Sequence, residues 1–563
     1  MTKTDVDVLV VGAGPSGLTA AVTLARLGVK IRIVDKKPKP LEHSYALVVH
    51  PRTLELLDLY GLADELVARG YPAPGLELGS DPETPMRMEF FDLDTRYPYI
   101  LVLPQSEIEE VLERHLGELA VKVERSTAFE SYADEGDAVV ATVVGEDGTG
   151  ENIQCRYLLG TDGAGSTVRS AAGLKLEGER YKEVFINAEV KVDRGLVTGG
   201  VSQYFSDLGA AFLVPFRDGY FRIATLNMKH QDADVGDELT LEHLQETLDQ
   251  IVPTKPRLME PRWLTYWRTG IAQVHTYRKG NVFLAGDAAH IHSPAGGQGM
   301  NTGIGDAVNL GWKLGFVING TSPPSILESF QQERHPVGTR AIKMSDNIVK
   351  LFLNRNYAQR KALERVMGTL ISGGPIQQRV GSMVSGLAVS YKDQAREDGT
   401  LRADLRSGIA DGALAAGDRM PDADLFAPEG DWRNQVVRLY DVLRHPCFTL
   451  IFVARTQRVE GTKRAELVTL ARQVEDRVGD AVKSVAVFEQ GLPMVDHGLP
   501  MYIDGKQEFK RRTGVRDGSV LLVRPDGYIG FHRGNYDSGL AALIDKWILR
   551  TGIQPTEMKS RDN

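Results

Sequence analysis

Val6, Val8, Leu9, Val10 and Val11 form an almost unbroken apolar run that gives way at once to Gly12-Ala13-Gly14-Pro15-Ser16-Gly17. A short apolar run bounded by glycine predicts a strand buried on both faces, as in a parallel sheet. Leu18, Ala21, Val22 and Ala25 then recur at helical spacing, and Ile31, Ile33 and Val34 make a second run that ends at Asp35. Strand, G-x-G-x-x-G, helix, strand and acid, in that order, is the layout of a dinucleotide site. Gly12 permits the tight turn, Gly14 lets backbone approach a pyrophosphate, and Gly17 lets helix pack on strand. The anion would sit at the helix N-terminus.

The same reading extends along the chain. Helices are predicted from Arg52 toward Gly61 and over Gln105 to Leu116, with a Pro- and Gly-rich loop over 70–85 between them. Alternation over Ala138 to Val144, bounded by Gly145 and Gly148, predicts a hairpin. Tyr157-Leu158-Leu159-Gly160 and Val282-Phe283-Leu284-Ala285 read as short buried strands, and 180–275 as a sheet. Ile304, Ala307, Val308 and Gly311 share one helical face, and 340–395 is amphipathic and helical. Residues 408–428 have the composition of a linker. The last section predicts strands at 448–453 and 484–488, a helix at 461–478, a hairpin around Pro525-Asp526-Gly527, and a helix bearing Leu540, Leu543, Ile544 and Trp547.

At 563 residues the chain is too long for one core and should divide into domains. The net charge of -9 argues against nucleic acid or an anionic membrane as main partner, despite Lys36-Lys37-Pro38-Lys39. Cys155 and Cys447 make neither a metal-ligand spacing nor C-x-x-C, which fits a reducing compartment. No segment suits a membrane span. The apolar start is broken by Asp5 and Asp7 and lacks a basic opening, and Ser560-Arg561-Asp562-Asn563 is no peroxisomal address. The expectation is a cytoplasmic protein.

Three motifs end predicted parallel strands: Gly12 to Gly17, Asp162-Gly163, and Gly286-Asp287. Ligands of open α/β sheets bind at that edge. The first motif offers backbone N–H groups, the other two carboxylates suited to hydroxyls. Each has a plainer reading. Asp162 can cap a turn, Asp287 can cap a helix, and His290 and His292, although candidate acid–base groups, read better as structural hydrogen-bonders beside a helix start.

With "YLLGTDGAGSTVRSAAGL" (157–174), "VFLAGDAAHIHSPAGGQGMNTGIGDAVNLGWKLG" (282–315) and "VLLVRPDGYIGFHRG" (520–534), the chain resembles the class A flavoprotein aromatic hydroxylases of the p-hydroxybenzoate hydroxylase type. It is nearest to phenol hydroxylase and the aromatic polyketide hydroxylases, which carry a C-terminal thioredoxin-like domain. The resemblance implies an α/β fold with a Rossmann-type FAD-binding domain in three pieces (1–70, 100–178 and 276–345). It adds a sheet-based substrate domain (71–99 and 179–275), a helical connection (346–407), and a thioredoxin-like domain (408–563) that here lacks C-x-x-C and serves packing or a homodimer. It also implies resident FAD, NAD(P)H and O2 as co-substrates, and a small aromatic, phenolic substrate hydroxylated through a flavin C4a-hydroperoxide. Epoxidation, Baeyer–Villiger oxidation, or non-oxygenating reduction on the same scaffold are the alternatives.

By that resemblance Gly12, Gly14, Pro15, Ser16, Gly17, Asp35 and Lys36 hold the ADP half. Gln105 contacts the flavin's polar tail, Asp162 and Gly163 belong to the motif associated with both FAD and NAD(P)H, and Asp287, after Gly286, binds the ribityl chain. Pro294, Gly297, Gly299, Met300 and Asn301 frame the isoalloxazine, and the helix opening near Met300 favours negative charge on a reduced flavin. The chain departs from the family at Tyr45, where relatives carry Arg, and at Leu47, where phenol hydroxylase has Asp. Candidate proton acceptors are then His50, Tyr220, Tyr45, Tyr266 and His275, with Pro294 beside the reaction centre. Tyr204, Phe205, Phe212, Phe216, Tyr220 and Phe221 are candidates to line an apolar pocket.

Overall fold

Three sheets and one buried helix organise the molecule. The computed structural model describes residues 4–40, 46–79, 86–193, 200–229, 231–353, 362, 368, 374–427, 435–454, 461–489, 499–535 and 540–549. In the first sheet Val282–Leu284, Gly150–Gly160, Val6–Val11, Ile31–Val34 and Val123–Glu124 lie side by side and parallel. Gly150–Gly160 has two jobs. Its first half pairs antiparallel with Val139–Val144 as the predicted hairpin, and its second half pairs with Val6–Val11. Leu9, Val10, Leu158 and Leu159 have no solvent exposure, as a sheet covered on both faces requires.

The second sheet runs in the order Leu258–Trp267, Phe185–Val192, Tyr220–Asn227, Gly209–Pro215, Val201–Ser206, Gly75–Gly79, Met86–Glu89. One face is covered by Leu241–Ile251, a helix inside a stretch expected to be all strand. Thr240 caps its start, and Leu244, Leu248 and Ile251 turn inward. The other face looks toward the first sheet.

The expected loop over 70–85 is partly strand. Tyr71–Ala73 pairs with Ile100–Val102, and Gly75–Gly79 pairs with both Val201–Ser206 and Met86–Glu89. Gly75 lets the Met86–Glu89 strand close in, because a Cβ there would stand 2.4 Å from the Met88 carbonyl oxygen. Pro72 is tolerated because its strand is an edge. Local composition signalled turns; partners distant in sequence made strands.

Residues 408–427 are packed rather than linking. The Gly417 amide donates to the Ile529 carbonyl at 2.9 Å, Met420 is fully buried, and Asp424–Phe426 joins the third sheet. That sheet also holds Phe448–Ala454, Val482–Phe488, Val520–Val523 and Ile529–Arg533, with Gly461–Val478 the crossover helix.

The long helix Gln298–Ile318 lies at the centre, buried over nearly its whole length. One side packs on Pro15–Arg26, the other on the third sheet, where Trp312 and Phe316 meet Phe448 at ring distances of 5.5 and 5.4 Å. Gly303, Ala307, Gly311 and Gly315 fall every fourth residue, so one ridge of the helix is almost bare. A Cβ at Gly311 would stand 2.8 Å from Thr23 Cβ. Gly311→Val should therefore destabilise the protein by about 1–3 kcal/mol through overpacking. A lowered denaturation midpoint checks this; an unchanged midpoint would mean that the two helices can separate freely.

Candidate active site

A cavity of about 640 Å³ lies between the first and second sheets. The turn after Val6–Val11 forms one end of it. Gly12 sits at φ 101°, and a Cβ there would meet the Thr161 carbonyl oxygen at 2.5 Å. Gly14 is different: a Cβ on it would find nothing nearer than Glu109 Oε1 at 4.0 Å, so the backbone there faces open space. Gly17 stays out of the cavity and allows the helix to cross against the Gly12 carbonyl. Pro15 occupies the first turn, the helix has no capping side chain, and its first turn carries no acid. Its N–H groups and positive dipole end are therefore available to an anion.

Asp35 accepts from the Ala13 amide at 2.7 Å and the Lys37 amide at 2.8 Å, which holds the second strand's end against the turn. Each oxygen keeps a further lone pair for a hydroxyl. Lys36 and Gln105 also line the cavity, with Gln105 Nε2 donating to Glu109 Oε1 at 2.7 Å.

Asp162 and Gly163 lie on the wall, but the Asp162 carboxylate is engaged as a cap. It accepts from Ser166 Oγ and from the Thr167 amide at 2.7 Å, at the start of Thr167–Ala171. Asp287 has no such local use among the described hydrogen bonds. Solvent reaches it although protein surrounds it, and dehydration raises its carboxyl above the usual range. Gly286 stays behind the wall at φ 60°, where a Cβ would press on Ser16 Oγ.

The second helix start closes the site. Gly297 adopts φ 61° as N-cap of Gln298–Ile318, with no side-chain cap and no acid in the first turn. Pro294, Gly297, Gly299 and Met300 line the cavity. Asn301 does not; it is a clamp, accepting from the His50 amide at 2.8 Å and donating to the Val48 and Gly297 carbonyls at 2.8 and 2.7 Å.

His50 borders the cavity, and its Nε2 lies 3.0 Å from the Gly296 carbonyl. Gln298 Nε2 also contacts that carbonyl and Val384's, so its two hydrogens are spoken for and His50 Nε2 carries the proton in its own bond. Burial pushes the His50 imidazole down to about 4, partly offset by the Gly296 and Gly297 carbonyls, so it is neutral and a weak base at pH 7.

Most of the remaining candidates lie away from the cavity. Tyr220 lies beyond the cavity, its ring 3.3 Å from the Arg262 guanidinium and its hydroxyl on Glu260. Tyr266 faces the covering helix and contacts His243 at 3.2 Å, while its neighbour Trp267 lines the cavity. Of the six aromatic pocket candidates only Phe212 lines it; His275 does not. Leu47 does, and Tyr45 lies outside the described residues. Sequence reasoning missed the floor: Phe185, Asn187, Gln203, Arg222, Ala224 and Trp267. Arg222 is 2% exposed and pairs with Glu189. A charged residue inside an apolar strand was the available signal. Arg52 belongs to the far side, donating to Glu55 and to the Asp526 carbonyl at 2.9 Å.

Two uncapped helix starts, a glycine-only approach and a carboxylate reached through the cavity make a dinucleotide cradle that opens onto an apolar floor. The comparisons agree with that geometry. Residues 5–345 match the model of the FAD binding domain, and the chain belongs to this family. It is 34% identical over 530 residues to a 6-methylpretetramide 4-monooxygenase of Streptomyces rimosus, covering 93% of this chain and 90% of that protein. It is 30% identical to the pentachlorophenol 4-monooxygenase of Sphingobium chlorophenolicum, covering 97% of each. Among solved structures it resembles the anhydrotetracycline hydroxylase OxyS from Streptomyces rimosus, with a TM-score of 0.73, 28% identity, and coverage of 96% of this chain and 99% of that one.

The lowered His50 value has a consequence for stability. Between about pH 6.5 and 4 the unfolded chain binds a proton there that the folded protein refuses, so the contribution is complete above pH 6.5 and lost as pH falls. Between pH 7.5 and 5 the wild type should lose about 2 kcal/mol more than His50→Gln. Urea unfolding of both proteins at the two pH values reads the difference; parallel losses would place a proton on His50 in the folded state.

Proposed function

We propose that this FAD-dependent monooxygenase hydroxylates an electron-rich, phenolic aromatic compound, consuming NAD(P)H and O2. The observation that carries the reading is the single cavity shared by two uncapped helix starts and a largely apolar floor. Bound FAD would supply hydride acceptance from NAD(P)H and activation of O2. The chain's own residues bind, orient and exclude water.

Gly14, Pro15 and Ser16 would hold the pyrophosphate on the N-terminus of Pro15–Arg26. Asp35 would take the adenosine ribose, Lys36 and Gln105 would flank the cofactor, and Asp287 would take the ribityl hydroxyls. Gly297, Gly299 and Met300 would present first-turn N–H groups to the pyrimidine end, and Pro294 would border the ring. Asp162 and Gly163 would shape the wall between the two halves. The floor would seat the aromatic substrate between Phe212 and Trp267, with Arg222, Gln203 and Asn187 as its polar contacts.

The domain division proposed is 1–70, 100–178 and 276–345 for FAD, 71–99 and 179–275 for substrate, 346–407 as connection, and 408–563 as a thioredoxin-like unit. The last is supported by topology: Phe448–Ala454 and Val482–Phe488 are parallel, and the hairpin of Val520–Val523 and Ile529–Arg533 adds antiparallel beside the first. Burial raises the Cys447 thiol to about 11 and the Cys155 thiol to about 12, which fits structural rather than redox roles in a reducing cytoplasm.

Purified protein, NAD(P)H and a panel of phenols test the reading. Substrate-stimulated O2 uptake with hydroxylated product is expected; no stimulation by any phenol would remove it. Asp287→Ala should weaken FAD roughly 10- to 100-fold, as loss of charge-assisted hydrogen bonds does. Flavin fluorescence titration measures it, and wild-type affinity in the variant would remove Asp287 from the site.

A further inference from the structure

Behind the cavity wall lies a chain of buried polar groups that the cofactor cradle does not use. His292 lines the cavity. Its Nε2 is 2.8 Å from His290 Nδ1, and His290 Nε2 is 2.6 Å from Asp306 Oδ2. Arg334 Nε donates to Asp306 Oδ1 at 2.7 Å, and the Gly286 amide donates to Oδ2 at 3.2 Å. His290 and Asp306 have no solvent exposure. At the other end, His292 Nδ1 is buried with no hydrogen-bond partner.

The hydrogen-bond logic of this chain has two solutions. Asp306 is held as a carboxylate: burial opposes this, but Arg334 and His290 outweigh it and keep the carboxyl below its usual range. It can only accept, so His290 Nε2 carries a proton. With both rings neutral, His290 Nδ1 accepts from His292 Nε2–H, which leaves His292 Nδ1 as a bare acceptor. If one proton is added at His292 Nδ1, the Nε2 proton passes to His290 Nδ1. The positive charge then rests on His290 against Asp306, and His292 Nδ1–H becomes a donor. One N–H bond forms at Nδ1, one breaks at Nε2, and one forms on His290.

The position of His292 says what the donor would serve. A Cβ built on Gly299 would have His292 Cδ2 at 3.8 Å and Asp287 Oδ1 at 3.9 Å. His292 therefore stands beside the two residues proposed for the ribityl chain and the pyrimidine end, and the inference rests on that reading. We infer that the His292–His290–Asp306 chain takes up one proton from solvent when bound FAD is reduced, and so matches the negative charge that the flavin gains.

Burial, and then His290, push the His292 imidazole well below its ordinary range, so the His292 ring starts neutral. The other ionisable neighbours do not supply the charge. Arg334 is paired with Asp306, Asp287 is acidic, the Tyr277 ring lies 5.8 Å from His290, and His335 stands beyond it, 5.3 Å from Tyr277. The first turn of Gln298–Ile318 contributes only a partial charge.

The test is the midpoint potential of bound FAD against pH, from 6 to 9, in wild type, His292→Gln and His290→Gln. Each coupled proton makes reduction tenfold harder per pH unit, about 30 mV for a two-electron couple. The wild type should show one proton more than His292→Gln over part of the range, with the reduced flavin's absorbance anionic in both. Gln at 292 can hydrogen-bond but cannot take the proton. It lies at the wall, so it serves even where the buried His290→Gln fails to fold. Equal slopes, or a neutral reduced flavin in the wild type, would overturn the inference alone. Protein that takes up no FAD would overturn the cofactor reading and this inference with it.

Discussion

The close approach of Gln298–Ile318 to Pro15–Arg26 is the constraint on which the rest depends. The ridge of Gly303, Ala307, Gly311 and Gly315 removes the side chains that would hold these helices a normal distance apart. Each helix begins with an uncapped N-terminus at the cavity. The ridge therefore does more than fill the core: it fixes the distance between two sites of positive potential. One cofactor with a phosphate at one end and a charge-accepting ring at the other needs both at a set separation.

The third sheet steadies that arrangement from behind. Glu333 lies between Lys313 at 2.8 Å and Arg524 at 2.7 Å, all three fully buried or nearly so. Asp526 joins them through Arg524 and Trp312 Nε1. Dehydration lowers the Lys313 ammonium to about 8, with Glu333 opposing, so the group holds its charge only because its partner is in place. Replacing such a network with apolar groups need not cost stability, but removing one member leaves a buried charge unmatched. Here the network joins the C-terminal hairpin to the central helix through buried charges. Arg52, stacked over Tyr528, ties the segment that carries His50 to the same hairpin.

The fingerprint turn, the strand ends at 160 and 284, the helix after 298, and the crossover helix at 461–478 were legible because each is encoded by contiguous residues. A buried parallel strand must be apolar throughout, a tight turn at φ 101° needs glycine, and an amphipathic helix repeats every three to four positions. Asp162 shows the limit. Its spacing is the same whether it meets a ligand or caps a helix, and only the contacts with Ser166 and Thr167 show the cap.

The cavity floor was not legible for a similar reason. Tyr266 and Trp267 are adjacent and both aromatic, yet one meets His243 and the other the cavity, because a strand turns successive side chains to opposite faces and a one-residue shift exchanges them. Tyr220 shares its strand with Arg222 but falls beyond the cavity's end. By itself the sequence determined the class of cofactor and the glycine turn and helix start that border the cavity, since those depend on local geometry that few residues can adopt. Tertiary structure alone decided which side chains face the cavity floor and that His292 connects through His290 to Asp306, since sheet register and helix packing bring together residues that no local pattern relates.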